Sequence, residues 1–219
     1  MTSEADYISI VVVGDMNPAI HNPHWYREVG IIDTEEEEAA LKDKDFVVSW
    51  MTSQLRLGKL RINCQRQRYQ ISCEDRSLAS KLRSTALKTF DDLLFETPIS
   101  HIGFNFNFHR RTGCADVSNE FARMVLSFPI GIEIDNPSGA SVSWYKNAGG
   151  RRLIVRAEPS VRNRQWVYIA ANAEYGIEGK SGFKLKPLFD EHFEKDLEQA
   201  EHRCLRVVTT LNAHAKGPE

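Results

Sequence analysis

Asn105, Asn107 and His109 alternate with Phe104, Phe106 and Phe108. At a period of two, this sends two amides and an imidazole to one face of a strand and three phenyl rings to the other. A strand face of Asn and His can line a polar pocket, the arrangement a cryptic enzyme would use. The simpler reading is a solvent-facing side of a sheet whose Phe side packs on a helix at 77–95. Gly103, just before the run, is a place where a neighbouring backbone can come close to Asn105.

The other chemistry-bearing residues form weaker sets. His21 and His24 beside Glu35–Glu38 have the residue types of a metal site. Pro23 lies between the histidines, however, and Asn22 as a helix cap explains the same stretch. Glu133 and Asp135 alternate with Ile132 and Ile134 as in some metal nucleases, without the lysine that such a site needs nearby. No G-x-S-x-G elbow is present, and Gly149-Gly150 closes a hairpin and does not open a phosphate-cradling helix. Cys64, Cys73, Cys114 and Cys204 lack C-x-x-C spacing and read as buried thiols. With a turn centred near Arg66, Cys64 would face residue 68 and not Cys73. The expectation is therefore no metal, no cofactor and no catalytic residue.

Arginines supply a different kind of chemistry. Arg56, Lys59, Arg61, Arg66 and Arg68 fall on consecutive strands with Tyr69 among them. Arg110, Arg111, Arg151, Arg152, Arg156, Arg162 and Arg164 follow, with Trp166. Arginine interleaved with aromatic rings on a sheet can hold phosphates and stack bases. The charge is sorted along the chain. Residues 1–54 carry 3 basic against 11 acidic side chains, and residues 55–111 carry 11 against 5. A net charge of −2 hides this segregation, which concerns partners, or one segment covering another, and not the fold.

The elements that must position these residues follow from pattern. Tyr7–Val13 reads as a buried strand closed by Gly14, and 22–29 as a short helix. Thr34 with Glu37 matches a capping box, which would leave Glu35–Glu38 as a solvated first turn. Residues 46–50 are β-rich. Strands follow at 54–64, broken by a bulge or turn at Gly58-Lys59, and at 69–73. Leu78, Leu82, Ala86, Phe90, Leu93 and Leu94 stripe a helix from 77 to 95, capped by Asp75 or Ser77. A strand at 99–109 and a helix at 117–126 come next. Strands at 130–134, 140–146, 151–157 and 165–173 enclose turns at 137–139 and 147–150 and a polar loop at 158–164. A last helix starts at Pro187, with Phe189, Phe193, Leu197, Ala200, Cys204, Val208 and Leu211 on its apolar face, and frays from Ala213.

The 219 residues, 42% hydrophobic and 26% charged, suit a folded chain with a real core. The expected class is α+β, with antiparallel sheet and long amphipathic helices on one face. It would be a single domain over 1–219, with two similar halves at 1–128 and 129–219 as an option. No apolar run is long enough for a membrane helix and the start lacks the features of a secretion signal, so the expected address is the cytoplasm. The stretch from Thr97 to Asn105 resembles uncharacterised bacterial α+β proteins, a short likeness that implies no activity.

The leading expectation is a non-catalytic protein that binds another protein, as an accessory subunit of a bacterial multi-component system. The alternative is a nucleic-acid module using strands 55–73 and the hairpin at 151–164. A third is an enzyme with a pocket at Asn105, Asn107 and His109. Whether the acidic first third masks the basic strands or leaves them bare separates the first two.

Overall fold

The computed structural model describes residues 5–126, 141–148, 150–177, 182 and 184–215. The first strand, β1 (Ala5–Gly14), buries Ile8, Ile10 and Val12 completely on one side. It ends where its backbone meets the start of β6 (Ile99–Arg111). A Cβ at Gly14 would stand 2.2 Å from the Pro98 carbonyl oxygen, so only glycine lets the two backbones converge there.

Two short helices follow β1. Asn22 caps α1 (Pro23–Glu28) by accepting from the Trp25 amide at 3.0 Å. The cap of α2 (Thr34–Leu41) is Asp33, which accepts from the Glu36 amide at 2.8 Å. The capping box expected at Thr34 and Glu37 does not form, because Thr34 is already helical. Glu37 is buried, not solvated. The β-rich stretch at 46–50 yields only the two-residue β2 (Val47–Val48). A meander completes this wing: β3 (Thr52–Leu57), β4 (Leu60–Gln65) and β5 (Arg68–Cys73). Gly58, at φ +58°, opens the two-residue turn between β3 and β4, so the break in phase is a tight turn. The next turn sets Cys64 opposite Tyr69, and all four cysteines are free and buried.

The 77–95 helix has three parts. Arg76–Leu78 is a 3-10 turn with Asp75 as its cap. The α-helical part, α3 (Ala79–Leu87), passes into a π-helical turn at Lys88–Leu93. There the Leu94 amide reaches the Thr89 carbonyl five residues back at 2.8 Å. The wider turn brings Asp91 to the chain entering the last helix, where its carboxylate accepts from the Leu185 amide at 2.5 Å. Helix α4 (Val117–Leu126) has the expected bounds. The expected strand at 130–134, its Glu133 and Asp135, and the turn at 137–139 lie outside the described residues.

The second wing consists of β6, β9 (Trp166–Gly176), β8 (Arg151–Pro159) and β7 (Val142–Ala148). Together the nine described strands make one antiparallel sheet in the order β2-β3-β4-β5-β1-β6-β9-β8-β7. In each wing the last strand leads into a long helix, α3 after β5 and α5 (Lys186–Ala215) after β9. The boundary expected between the two halves, at 128, lies outside the described residues. No helix among the described residues is long and apolar enough to cross a membrane.

The helices cover one face. Phe189, Phe193, Leu197, Ala200, Cys204 and Leu211 of α5 are buried there, and the helix runs to Ala215 without fraying at 213. The phenyl row of β6 meets this helix and not α3: the Phe104 ring stands edge-on to Phe189 at 5.0 Å and to Phe193 at 5.2 Å. Helix α3 instead packs on β1 and β5, and in the π-helical turn after it Phe90 stands edge-on to Tyr69 at 4.8 Å. The aromatic row of β6 is therefore spent on the second wing's own helix.

Candidate functional site

The face of the sheet away from the helices carries the alternate residues of each strand, many of them polar. One register row crosses it from wing to wing: Arg56, Arg61, Ser72, Ser9, Asn105, Asn172, Ile154 and Tyr145. Small side chains fill its centre, where Ser9 and Ser72 are buried. Asn105 donates to the Ser9 hydroxyl at 3.2 Å and accepts from the Asn172 amide. Asn107 lies between Tyr7 and Ala170.

His109 has its Nδ1 2.8 Å from the Ser160 hydroxyl and its ring 4.9 Å from that of Tyr168. Burial, and then the nearby Arg162 and Arg110, hold its pKa below the usual imidazole range. The structure thus puts Asn105, Asn107 and His109 on one face, half-buried, as the alternation requires. Each is tied to a different neighbour. Ser160 is itself buried and accepts from the Arg162 amide at 3.1 Å, so its hydroxyl serves a turn. This set can hydrogen-bond a docked surface; it has the donors of an interface more than the constellation of a nucleophile.

The basic residues divide by phase. Arg56, Arg61 and Arg68 project from the helix-free face of β3, β4 and β5, with Lys59 and Arg66 in the adjoining turns. Among the described residues the acidic first third pairs with this group only at Arg56, which meets Asp43 at 3.3 Å and Asp45 at 3.9 Å. Lys59 is 3.7 Å from Asp75. Arg61, Arg66 and Arg68 are exposed and make no ion pair among the described residues.

On the other wing, Arg152 meets Glu174 at 3.9 Å and Arg156 meets Glu158. Arg162 and Arg164 stand exposed in the loop beyond β8, and Arg111 is exposed at the end of β6. Two expected members belong to the opposite face. Arg110 lies over the Phe108 ring and pairs with Asp6 at 2.5 Å. Arg151 pairs with Asp196 of α5, a carboxylate that is 3% exposed and also accepts from Tyr175. Their even-odd phase, set by strand register, turns them towards the helices.

A cleft of about 590 Å³ opens at the end of the first wing, lined by Tyr7, Arg56, Lys59, Arg61, Ser72 and Glu74 among others. Asn105, Asn107 and His109 are not part of its lining.

The feature that pattern reasoning passed over is apolar. Among the described residues, edge strand β2 pairs on one side only. Val47 is 48% exposed there, and Trp50 and Met51, in the turn to β3, are 68% and 56% exposed. The signal was present as the run Phe46-Val47-Val48-Ser49-Trp50-Met51, which reads as a strand but does not tell that its outer side is left uncovered.

His21 and His24 do not share a ligand. His21 is buried with its Nδ1 2.9 Å from the Tyr26 hydroxyl, while His24 pairs with Glu37, which also meets Arg27 at 2.6 Å. Among the described residues no three metal-type ligands converge. Burial pushes the Cys64 thiol up to about 12, away from a reactive thiolate. No protein-family model matches this chain, and no curated protein matches it significantly.

Proposed function

We propose that this protein is a non-catalytic binding subunit that docks another protein along the open β2 edge of its sheet. The observation that carries the reading is the exposure of Val47 and Val48 on a strand that pairs on one side only among the described residues, and of Trp50 and Met51 in the turn that follows it. Exposed apolar side chains clustered at a sheet edge are a liability unless something covers them. An extended apolar segment of the partner would add as a further strand, its backbone pairing with β2 and its side chains meeting Trp50. In a bacterial multi-component system the partner would be a fellow component.

The test compares affinity capture from the native host by the wild-type protein and by Val47→Lys/Trp50→Lys. Both positions are exposed, so the variant is expected to fold normally. The expected result is a partner held by the wild type and lost by the variant. A wild type that is monomeric and retains nothing, or a variant that retains the same partner equally, refutes the reading.

A second reading is favoured by one observation, the exposed Arg61, Arg66 and Arg68, which make no ion pair among the described residues. It assigns that face to single-stranded nucleic acid, with arginines on phosphates and amides on base edges. Oligonucleotide binding that weakens steeply with salt, and drops on Arg66→Glu/Arg68→Glu, supports it; no binding at low salt disposes of it.

A further inference from the structure

Leu57 and Leu60 close a two-residue turn, so Arg56 and Arg61 face each other directly across β3 and β4. Facing residues on antiparallel strands hold their Cβ atoms about 5 Å apart, and like charges so placed repel. Arg56 shares Asp43 and Asp45, whereas Arg61 has no carboxylate of its own among the described residues. Both line the cleft of about 590 Å³, along with Tyr7, Ser72 and Lys59. Its volume lies within the roughly 300–1,000 Å³ of small-molecule sites. Two guanidiniums face each other on one recess, and Arg61 is the one without a carboxylate, so an oxyanion that accepts from both would supply its counter-charge.

The rest of the wall decides what the anion is attached to. Glu74 is exposed at the cleft without an ion pair among the described residues, Asp75 stands near Lys59, and Asp6 and Arg76, also on the wall, are paired with Arg110 and Glu201. Carboxylates here repel a run of phosphates but accept from the hydroxyl and amino groups of a ligand body. We propose that the cleft binds a small phosphate ester, of the size of a nucleoside monophosphate, with its phosphoryl group between Arg56 and Arg61. The proposal is independent of docking at the β2 edge, since the cleft shares none of the edge's apolar residues.

Isothermal titration with AMP, with inorganic phosphate as competitor, tests it on the full chain. The wild-type protein is expected to bind AMP saturably and to release it to phosphate. Arg61→Gln and, separately, Arg56→Gln are each expected to weaken AMP by about tenfold or more, as loss of a charged donor does. The ligand-free Arg61→Gln protein is expected to unfold at or above the wild-type midpoint, because a facing like charge is gone. Arg206→Gln, an exposed change on α5, serves as the control and leaves AMP binding unchanged. The proposal is overturned if AMP does not bind, or if all three variants bind it equally. A single-stranded oligonucleotide forms the other arm. If it binds while AMP and phosphate do not, the arginines read a nucleic-acid backbone and the cleft is no ester site.

Discussion

His21 illustrates chemistry at the scale of one residue. Its ring is enclosed by Trp25, Tyr26, Tyr69 and Phe90, with the Tyr26 hydroxyl as its polar partner and no carboxylate paired with it among the described residues. Burial lowers its pKa from 6.5 to about 4, so the folded state keeps the ring neutral. The unfolded chain takes up a proton nearer pH 6.5. The contribution of His21 is therefore fully present above pH 6.5, falls as the pH drops towards 4, and stays lost below it. The loss amounts to about 3 kcal/mol. Denaturant unfolding between pH 7 and pH 4 should show this decline, and His21→Gln should flatten it; an unchanged slope in the variant would assign the decline to other groups. The sequence places His21 in a polar, proline-flanked turn. That α1 then folds the ring under Tyr69 is a long-range packing result, and local pattern has no access to it.

At the scale of elements, α5 was legible as an apolar stripe and Asp196 was not. The stripe Phe189, Phe193, Leu197, Ala200 and Cys204 follows from helical spacing, and burial bears it out. Asp196 lies beside that stripe and is carried under with it, where Arg151 and the Tyr175 hydroxyl answer its charge. Removing one partner of a buried pair leaves the other charge desolvated, at a cost of about 3–5 kcal/mol. Asp196→Ala should lower unfolding stability by that order, while Glu194→Ala, on the exposed side, should change it by less than about 0.5 kcal/mol. Equal effects in the two variants would remove Asp196 from any structural role. The π-helical turn at 88–93 was likewise read as continuous helix. Its apolar spacing fits a helix of either kind, and the choice is made by Asp91 reaching the Leu185 amide, almost a hundred residues later.

At the scale of the molecule, the sorted charge is only partly cancelled by folding. The acidic first third answers Arg56 and Lys81 and leaves Arg61, Arg66 and Arg68 exposed. If single-stranded nucleic acid binds this face, each phosphate contact should add about 0.7 to the slope of log affinity against log salt, and Arg66→Glu/Arg68→Glu should make that slope shallower. A slope near zero would leave protein docking at β2 and the ester cleft as the molecule's binding features. The sequence by itself determined the α+β class, the antiparallel strands, the two-faced character of β6 and the apolar face of α5, because period two and period 3.6 are local properties of a chain. Only the tertiary structure decided which helix the phenyl row meets, that Arg110 and Arg151 turn inward, that Arg56 faces Arg61, and that β2 is left with one side bare. Those depend on strand order and register, and these come from many weak contacts between residues far apart in the chain, summed over the whole sheet.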